Sequence, residues 1–303
     1  MRKEFSITSS KNVTLYGYIS EPSCEVKGIV QICHGMAEHI ERYFDFMDFL
    51  SNNGYIVVGY NQRGHGKTAG SVENQGYMDD KDNFDILVQD VHFINNYIKK
   101  LFPNKIHYLF GHSMGSFVSQ RYTELYGDEI DGLILCGSSY NKGLAINLGY
   151  IVASMITKFK GRSYKSKFVD NVAFGSYNKK FKPNKTTVDW LSRDTESNLN
   201  YLADEYCGAI FSVSYFKDLS HGFKTITKNL KLIRKDLPIL IISGDADPVG
   251  NYGKGTTKLY KNLKKQGVND LTFKLYKDAR HELLNEINKE EVVNDILEWI
   301  NNH

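Results

Sequence analysis

The chain has 303 residues, 41% of them hydrophobic, which is enough for one large α/β domain with an insertion and argues against disorder. Its 38 basic and 35 acidic residues leave a net charge of +3 and form no basic block, so nucleic acid is a poor candidate partner. The start Met1-Arg2-Lys3 is basic but no apolar run follows, so neither a signal peptide nor a membrane span is expected and the reading is a cytoplasmic protein. Cys24, Cys33, Cys136 and Cys207 are widely spaced with no C-x-x-C pair, which predicts buried, reduced thiols.

In chain order, residues 5–8 and 13–20 alternate apolar and polar side chains around a turn, the pattern of an antiparallel hairpin at a sheet edge. Continuous apolar runs follow at 29–33, 55–60, 106–110, 133–136, 239–242 and 271–276 and predict parallel strands covered on both faces. Helical periodicity separates them at 43–52, 84–101, 115–126 and 256–266, and a last helix starts at Asn288 with Glu291 placed for a capping box. Strands alternating with helices specify a doubly wound, mostly parallel α/β sheet.

The alternation stops between Tyr140 and Asp236, an interval too long for a loop. It predicts a mostly helical cap over 140–236, inserted in a core formed by 1–139 and 237–303. Within the cap, Leu144, Leu148, Ile151, Val152, Met155, Ile156 and Phe159 form an apolar helical stripe. That stripe either packs the cap on the body or lines a pocket for an apolar substrate chain. The lysine-rich stretches 158–167 and 179–185 read as a solvated face, with weak attraction to anionic lipid as the sharper alternative.

Gly111-His112-Ser113-Met114-Gly115 follows the apolar run 106–110 and opens a helical pattern of Phe117, Val118, Arg121, Tyr122 and Leu125. Strand, turn and helix in that order mark a nucleophile elbow, with Ser113 exposed on a turn so sharp that a Cβ at either flanking glycine would clash. The N–H of Met114, at the helix start, is one donor for a developing oxyanion. A serine hydroxyl needs a base and a carboxylate to orient it. His281 follows the last strand, whereas His303, the other histidine beyond the acid, ends the chain. For the acid, Gly244-Asp245-Ala246-Asp247-Pro248 offers two carboxylates; Asp245 is expected to tie the turn and Asp247 to orient His281. A second oxyanion donor is expected from the N–H of Met36, in His34-Gly35-Met36-Ala37-Glu38-His39 after the run 29–33. His34, Glu38 and His39 lack metal-site spacing and read as hydrogen-bonding groups of that loop, so no metal is expected. Arg63-Gly64-His65-Gly66 lacks the ending of a phosphate loop and reads as a tight turn.

With these motifs the chain resembles the serine α/β-hydrolases of the monoacylglycerol lipase and bacterial lysophospholipase group, also grouped with serine aminopeptidases. The resemblance spans nearly the whole length and includes Asp189-Trp190-Leu191-Ser192-Arg193-Asp194 and Cys207-Gly208 in the cap. It implies the α/β-hydrolase fold, Ser113, Asp247 and His281 as a triad, and Met36 with Met114 as the oxyanion hole. The leading reading is cleavage of carboxylic esters of small lipids through an acyl-Ser113 intermediate, with no cofactor and, from the lysine-rich stretches, at most weak peripheral membrane contact. An aminopeptidase, with Asp194, Glu196, Asp204 or Glu205 holding a free amine, is the enzymatic alternative; a catalytically silent binder of a small apolar molecule is the other. One departure is Asn61, where the group commonly carries aspartate.

Overall fold

A computed structural model describes residues 2–9, 12–79, 83–140 and 144–303. The elements run β1 (Arg2–Thr8), β2 (Thr14–Ser20), β3 (Gly28–Cys33), α1 (Phe44–Asn52), β4 (Tyr55–Tyr60), α2 (Phe84–Leu101), β5 (Ile106–His112), α3 (Met114–Tyr126) and β6 (Gly132–Cys136). Four helices follow, α4 (Leu144–Lys160), α5 (Lys167–Phe174), α6 (Thr195–Ala203) and α7 (Val213–Asn229), before β7 (Ile239–Gly244), α8 (Lys254–Lys265), β8 (Leu271–Tyr276) and α9 (Lys289–Asn302).

The strands form one eight-stranded sheet in the order β1-β2-β4-β3-β5-β6-β7-β8. The β1–β2 hairpin joins antiparallel and every pairing from β4 to β8 is parallel. This is the α/β-hydrolase architecture. The continuous apolar runs have a simple cause: successive side chains point to opposite faces, and both faces carry helices. Ile29, Val58, Leu109, Leu133 and Ile241 pack under α2, α3 and α8, with Val91, Ile94, Val118 and Leu259. Val30, Val57, Phe110, Ile134 and Ile242 pack on the other face under α1 and α9, with Met47, Leu50, Val292 and Ile296.

Three expectations change in detail. β8 is the sheet edge, so Leu271, Phe273, Lys274 and Leu275 are only half-buried and Thr272 is exposed, unlike the inner strands. The capping box at α9 does not form: the Asn288 side chain makes no cap bond to the helix and instead donates to the Glu291 carboxylate at 2.9 Å. All four thiols are free, but only Cys33 and Cys136 are buried, in β3 and β6; Cys207 is half-buried and Cys24 is exposed, because neither lies in the sheet.

The helices α4–α7 lie in sequence between β6 and β7, where the alternation fails. Each of α5, α6 and α7 begins on a side-chain cap, from Ser166, Asp194 and Ser212, which satisfies amides the first turn leaves unpaired. No helix among the described residues is long and apolar enough to cross a membrane.

Candidate active site

Ser113 is the single residue between β5 and α3, and its backbone sits at φ +51°, ψ −119°. That conformation is strained for a residue with a Cβ and persists only where the surroundings impose it. Here the Ser113 N–H donates to Cys136 O at the end of β6 (3.0 Å), and Ser113 O accepts from Ser116 N (2.9 Å). The flanking glycines are sterically required. A Cβ on Gly111 would lie 2.6 Å from Gly115 O, and one on Gly115 would strike the carbonyls of Cys33 and His34.

Two loops at the carboxyl ends of β7 and β8 bring Asp247 and His281 together, with Nδ1 of His281 3.0 Å from Oδ1 of Asp247. Both side chains are buried. Burial alone would raise the Asp247 carboxyl, but the charge and hydrogen bond of His281, with bonds from Val249 N (2.8 Å) and Ser243 Oγ (3.2 Å), hold it below its ordinary range. The His281 ring lies over Gly137, whose added Cβ would be 3.1 Å from Cε1, and 4.8 Å from the ring of His112, the neighbour of Ser113. Asp245 is exposed and accepts from Asp278 N at 2.7 Å, tying the turn after β7 to the turn after β8.

The loop after β3 passes close to the elbow, since a Cβ on Gly35 would come within 3.2 Å of Ser113 Cβ. The backbone at Gly35 is held on both sides. His34 Nδ1–H donates to Gly35 O at 2.7 Å while its Nε2 accepts from Gln62 N at 3.0 Å, and Gly35 N–H donates to Glu38 Oε1 at 2.5 Å. Burial lowers His34 to about 4, so the ring is neutral at pH 7 and keeps the one tautomer this bonding requires. With the carbonyl turned toward His34, the Met36 N–H of the same peptide points the other way. Neither Met36 N–H nor Met114 N–H donates to a group among the described residues.

Sequence reasoning missed the buried polar network behind this loop. Glu38 accepts from Tyr43 Oη (2.8 Å), Arg42 Nη1 (2.8 Å) and His112 Nδ1 (3.0 Å), and Arg42 forks onto both carboxylate oxygens of Glu282. Burial opposes charge on His112, but the neighbouring Glu38 raises its pKa, and its Nε2 donates to His281 O, which can only accept, at 3.3 Å. The signal was present in Glu38, Arg42 and Tyr43, three polar residues at helical spacing beside the glycine turn, but their partners lie up to 240 positions away.

His34 and Glu38 do not join His39 as ligands. Among the described residues only His39, Asp204 and Cys207 place three ligand atoms within 4.8 Å of one another. Both ring nitrogens of His39 already meet carboxylates, Glu41 at 2.6 Å and Asp204 at 2.7 Å. Burial disfavours its charge, yet these two partners raise its pKa, and a bridging imidazolium accounts for the cluster with no metal ion needed. Arg63-Gly64-His65-Gly66 is a tight turn, with Gly64 and Gly66 at positive φ and Arg63 paired to buried Asp90 at 2.6 Å.

Asn61 explains its own departure. Its Oδ1 accepts from Ile40 N at 2.9 Å while its Nδ2 faces both oxygens of Glu41 at 3.3 Å. An aspartate would keep the first bond and set a like charge against the second. Asn61→Asp should therefore cost about 1–3 kcal/mol, read as a Tm several degrees lower at neutral pH. An unchanged Tm would remove this role for the amide.

The apolar stripe on α4 divides. Ala153 is buried and Ile156 packs on the core, whereas Leu148, Ile151 and Met155 are about 50% exposed and Val152 is half-buried. The side chain of Leu144 lies outside the described residues. From the insertion, Trp190 reaches the site: its ring is 5.2 Å from His281 and packs with Tyr177 and Phe174. The segment is anchored there by Glu282 N to Leu191 O (2.7 Å) and by Arg280 donating to the carbonyls of Asp189 and Ser192.

Residues 24–288 match the profile of the serine aminopeptidase, S33 family. The chain belongs to that family. Among its relatives are a monoacylglycerol lipase of Mycolicibacterium smegmatis, 24% identical with 100% of this chain and 98% of the relative covered, and a monoglyceride lipase of Saccharomyces cerevisiae, 27% identical with 95% and 90% covered. A thermostable carboxyl esterase from Bacillus coagulans, solved in complex with glycerol, superposes with a TM-score of 0.93 at 27% identity, over 99% of this chain and 98% of that one.

Proposed function

We propose that this S33-family chain is a serine carboxylic-ester hydrolase that cleaves small monoacylated lipids, of the monoacylglycerol or lysophospholipid kind, through an acyl-Ser113 intermediate. The observation that carries the reading is the buried Asp247–His281 pair beside a serine held at positive φ on the β5–α3 turn. Ser113 Oγ attacks the ester carbonyl while His281 Nε2 takes its proton, and Asp247 holds the ring through Nδ1–H. The oxyanion is met by the N–H groups of Met36 and Met114. Collapse expels the alcohol, protonated by His281, and water repeats the sequence on the acyl-enzyme.

The substrate class is supported by the curated relatives, both lipases of monoacylglycerols by name, and by the neighbour that carries glycerol. An amine-binding role for the insertion is less well supported. Asp194 caps α6 and Asp204 pairs with His39, while Glu196 and Glu205 are exposed. We take 140–236 as the cap and 1–139 with 237–303 as the core. The exposed residues Phe159 of α4 and Phe168 and Val172 of α5, with Lys158, Lys160 and Lys167 near them in the chain, suit weak contact with the lipid surface that holds the substrate. Four free thiols suit a cytoplasmic location.

An active-site-directed fluorophosphonate should label the protein stoichiometrically, with peptide mapping placing the adduct on Ser113. Absence of an adduct, or one elsewhere, rejects the mechanism. In the cap, Ile151→Glu or Met155→Glu should raise KM for medium-chain esters far more than for acetate esters. Each acyl CH₂ against an apolar wall contributes about 0.8 kcal/mol, and acetate has too few to use it. Because both residues are half-exposed, the variants should fold with near-wild-type Tm. Equal losses on all chain lengths would remove the α4 stripe from substrate binding.

A further inference from the structure

The oxyanion loop continues past Met36 into Ala37, which has a Cβ and yet adopts φ +59°. A left-handed alanine needs outside support. That support comes from the insertion: Ala37 O accepts from Tyr201 Oη and from Gly208 N, each at 2.9 Å, and Gly208 N also lies 3.1 Å from Tyr201 Oη. The Tyr201 ring is buried with the Arg42 guanidinium 4.9 Å from its centre, and Arg42 is the residue that grips Glu38. Two residues along the loop, His39 Nε2 meets Asp204 Oδ2 at 2.7 Å. At the other expected donor, Tyr215 Oη from α7 donates to Met114 Sδ at 3.2 Å. Both residues read as oxyanion donors thus lie at points where the insertion grips the core.

We propose that the insertion is a buttress of the oxyanion hole as well as a selector of substrate. Tyr201 is the principal positioning residue, supported by Asp204 and Gly208 on the Met36 side and by Tyr215 on the Met114 side. The inference rests on the reading of Met36 and Met114 as oxyanion donors. Tyr201 touches neither donor; it acts through Ala37 O, fixing the loop so that Met36 N–H is already aimed before charge develops. Preorganisation of this kind counts in the transition state and not in the ground state.

The test is Tyr201→Phe, which deletes one hydroxyl and keeps the ring over Arg42. We expect kcat to fall about 10-fold on acetate and medium-chain esters alike, with KM unchanged, well below the melting temperature. A trifluoromethyl ketone, which adds to the serine as an oxyanion, should lose affinity by the same factor, whereas the matching methyl ketone should bind as before. Asp204→Asn, which keeps the side-chain shape, should move the same quantities in the same direction and serves if Tyr201→Phe does not fold. Wild-type values of kcat and trifluoromethyl ketone affinity in a folded variant overturn the proposal, as does a loss confined to KM of long esters. Failure of the underlying reading looks different: the wild-type enzyme itself would then show no fluorophosphonate adduct and no preference for the trifluoromethyl ketone.

Discussion

Ser113→Ala should abolish turnover, with kcat lower by a factor on the order of 10⁶ and the fluorophosphonate adduct lost with it. A triad acts as a unit, so removing the nucleophile forfeits the contribution of base and acid together and leaves only binding and the oxyanion donors. The fold should not suffer. The backbone bonds that hold the elbow, from Ser113 N to Cys136 O and from Ser116 N to Ser113 O, survive in alanine, and the same Cβ sits at the same positive φ. Tm should therefore match the wild type, and esters should still bind, detectable as protection of the protein against melting. Appreciable hydrolysis by this variant, measured on protein free of wild-type carry-over, would eliminate Ser113 as nucleophile.

The sheet was legible because its signal is local. Each inner strand is a run of apolar residues bounded by turn chemistry, and the order of Ser113, Asp247 and His281 along the chain follows from strands whose carboxyl ends share one edge. Of the two carboxylates after β7, Asp245 accepts from Asp278 N within the turn and Asp247 lies against His281 Nδ1, the arrangement that distance from the strand suggests. What the sequence hid is what depends on distant partners. Nothing near Glu38 in the chain announces Glu282, and nothing near Ala37 announces Tyr201. The α4 stripe was ambiguous for a physical reason, since periodicity marks an apolar face without saying whether protein, substrate or solvent lies against it. Here Ala153 and Ile156 take the core side and Leu148, Ile151 and Met155 the outer one. The edge strand β8 was over-buried in expectation because an apolar run cannot report that it is the last one in the sheet.

Asp247→Asn should keep the fold and cost on the order of 10⁴ in kcat. Oδ1 of Asp247 accepts from both His281 Nδ1 and Val249 N, and Oδ2 accepts from Ser243 Oγ. An asparagine satisfies this only with its oxygen toward Val249 and its amide toward Ser243, so the ring stays hydrogen-bonded but faces no negative charge when it becomes an imidazolium. The loss should therefore fall on kcat, with KM nearly unchanged. Stability supplies a second readout, because the carboxyl sits below its ordinary 3.8 in the folded protein. Stability from such a group is present above the ordinary value and is lost as pH falls through the lowered one. The Tm gap between wild type and Asp247→Asn should accordingly narrow in acid and be widest near neutrality. Asp245→Ala is the control. It removes the acceptor for Asp278 N, which should lower Tm by a few degrees, about 1 kcal/mol, and leave kcat close to wild type. If Asp245→Ala loses turnover while Asp247→Asn keeps it, Asp245 is the orienting acid and the geometry of the resting enzyme is not that of the reacting one.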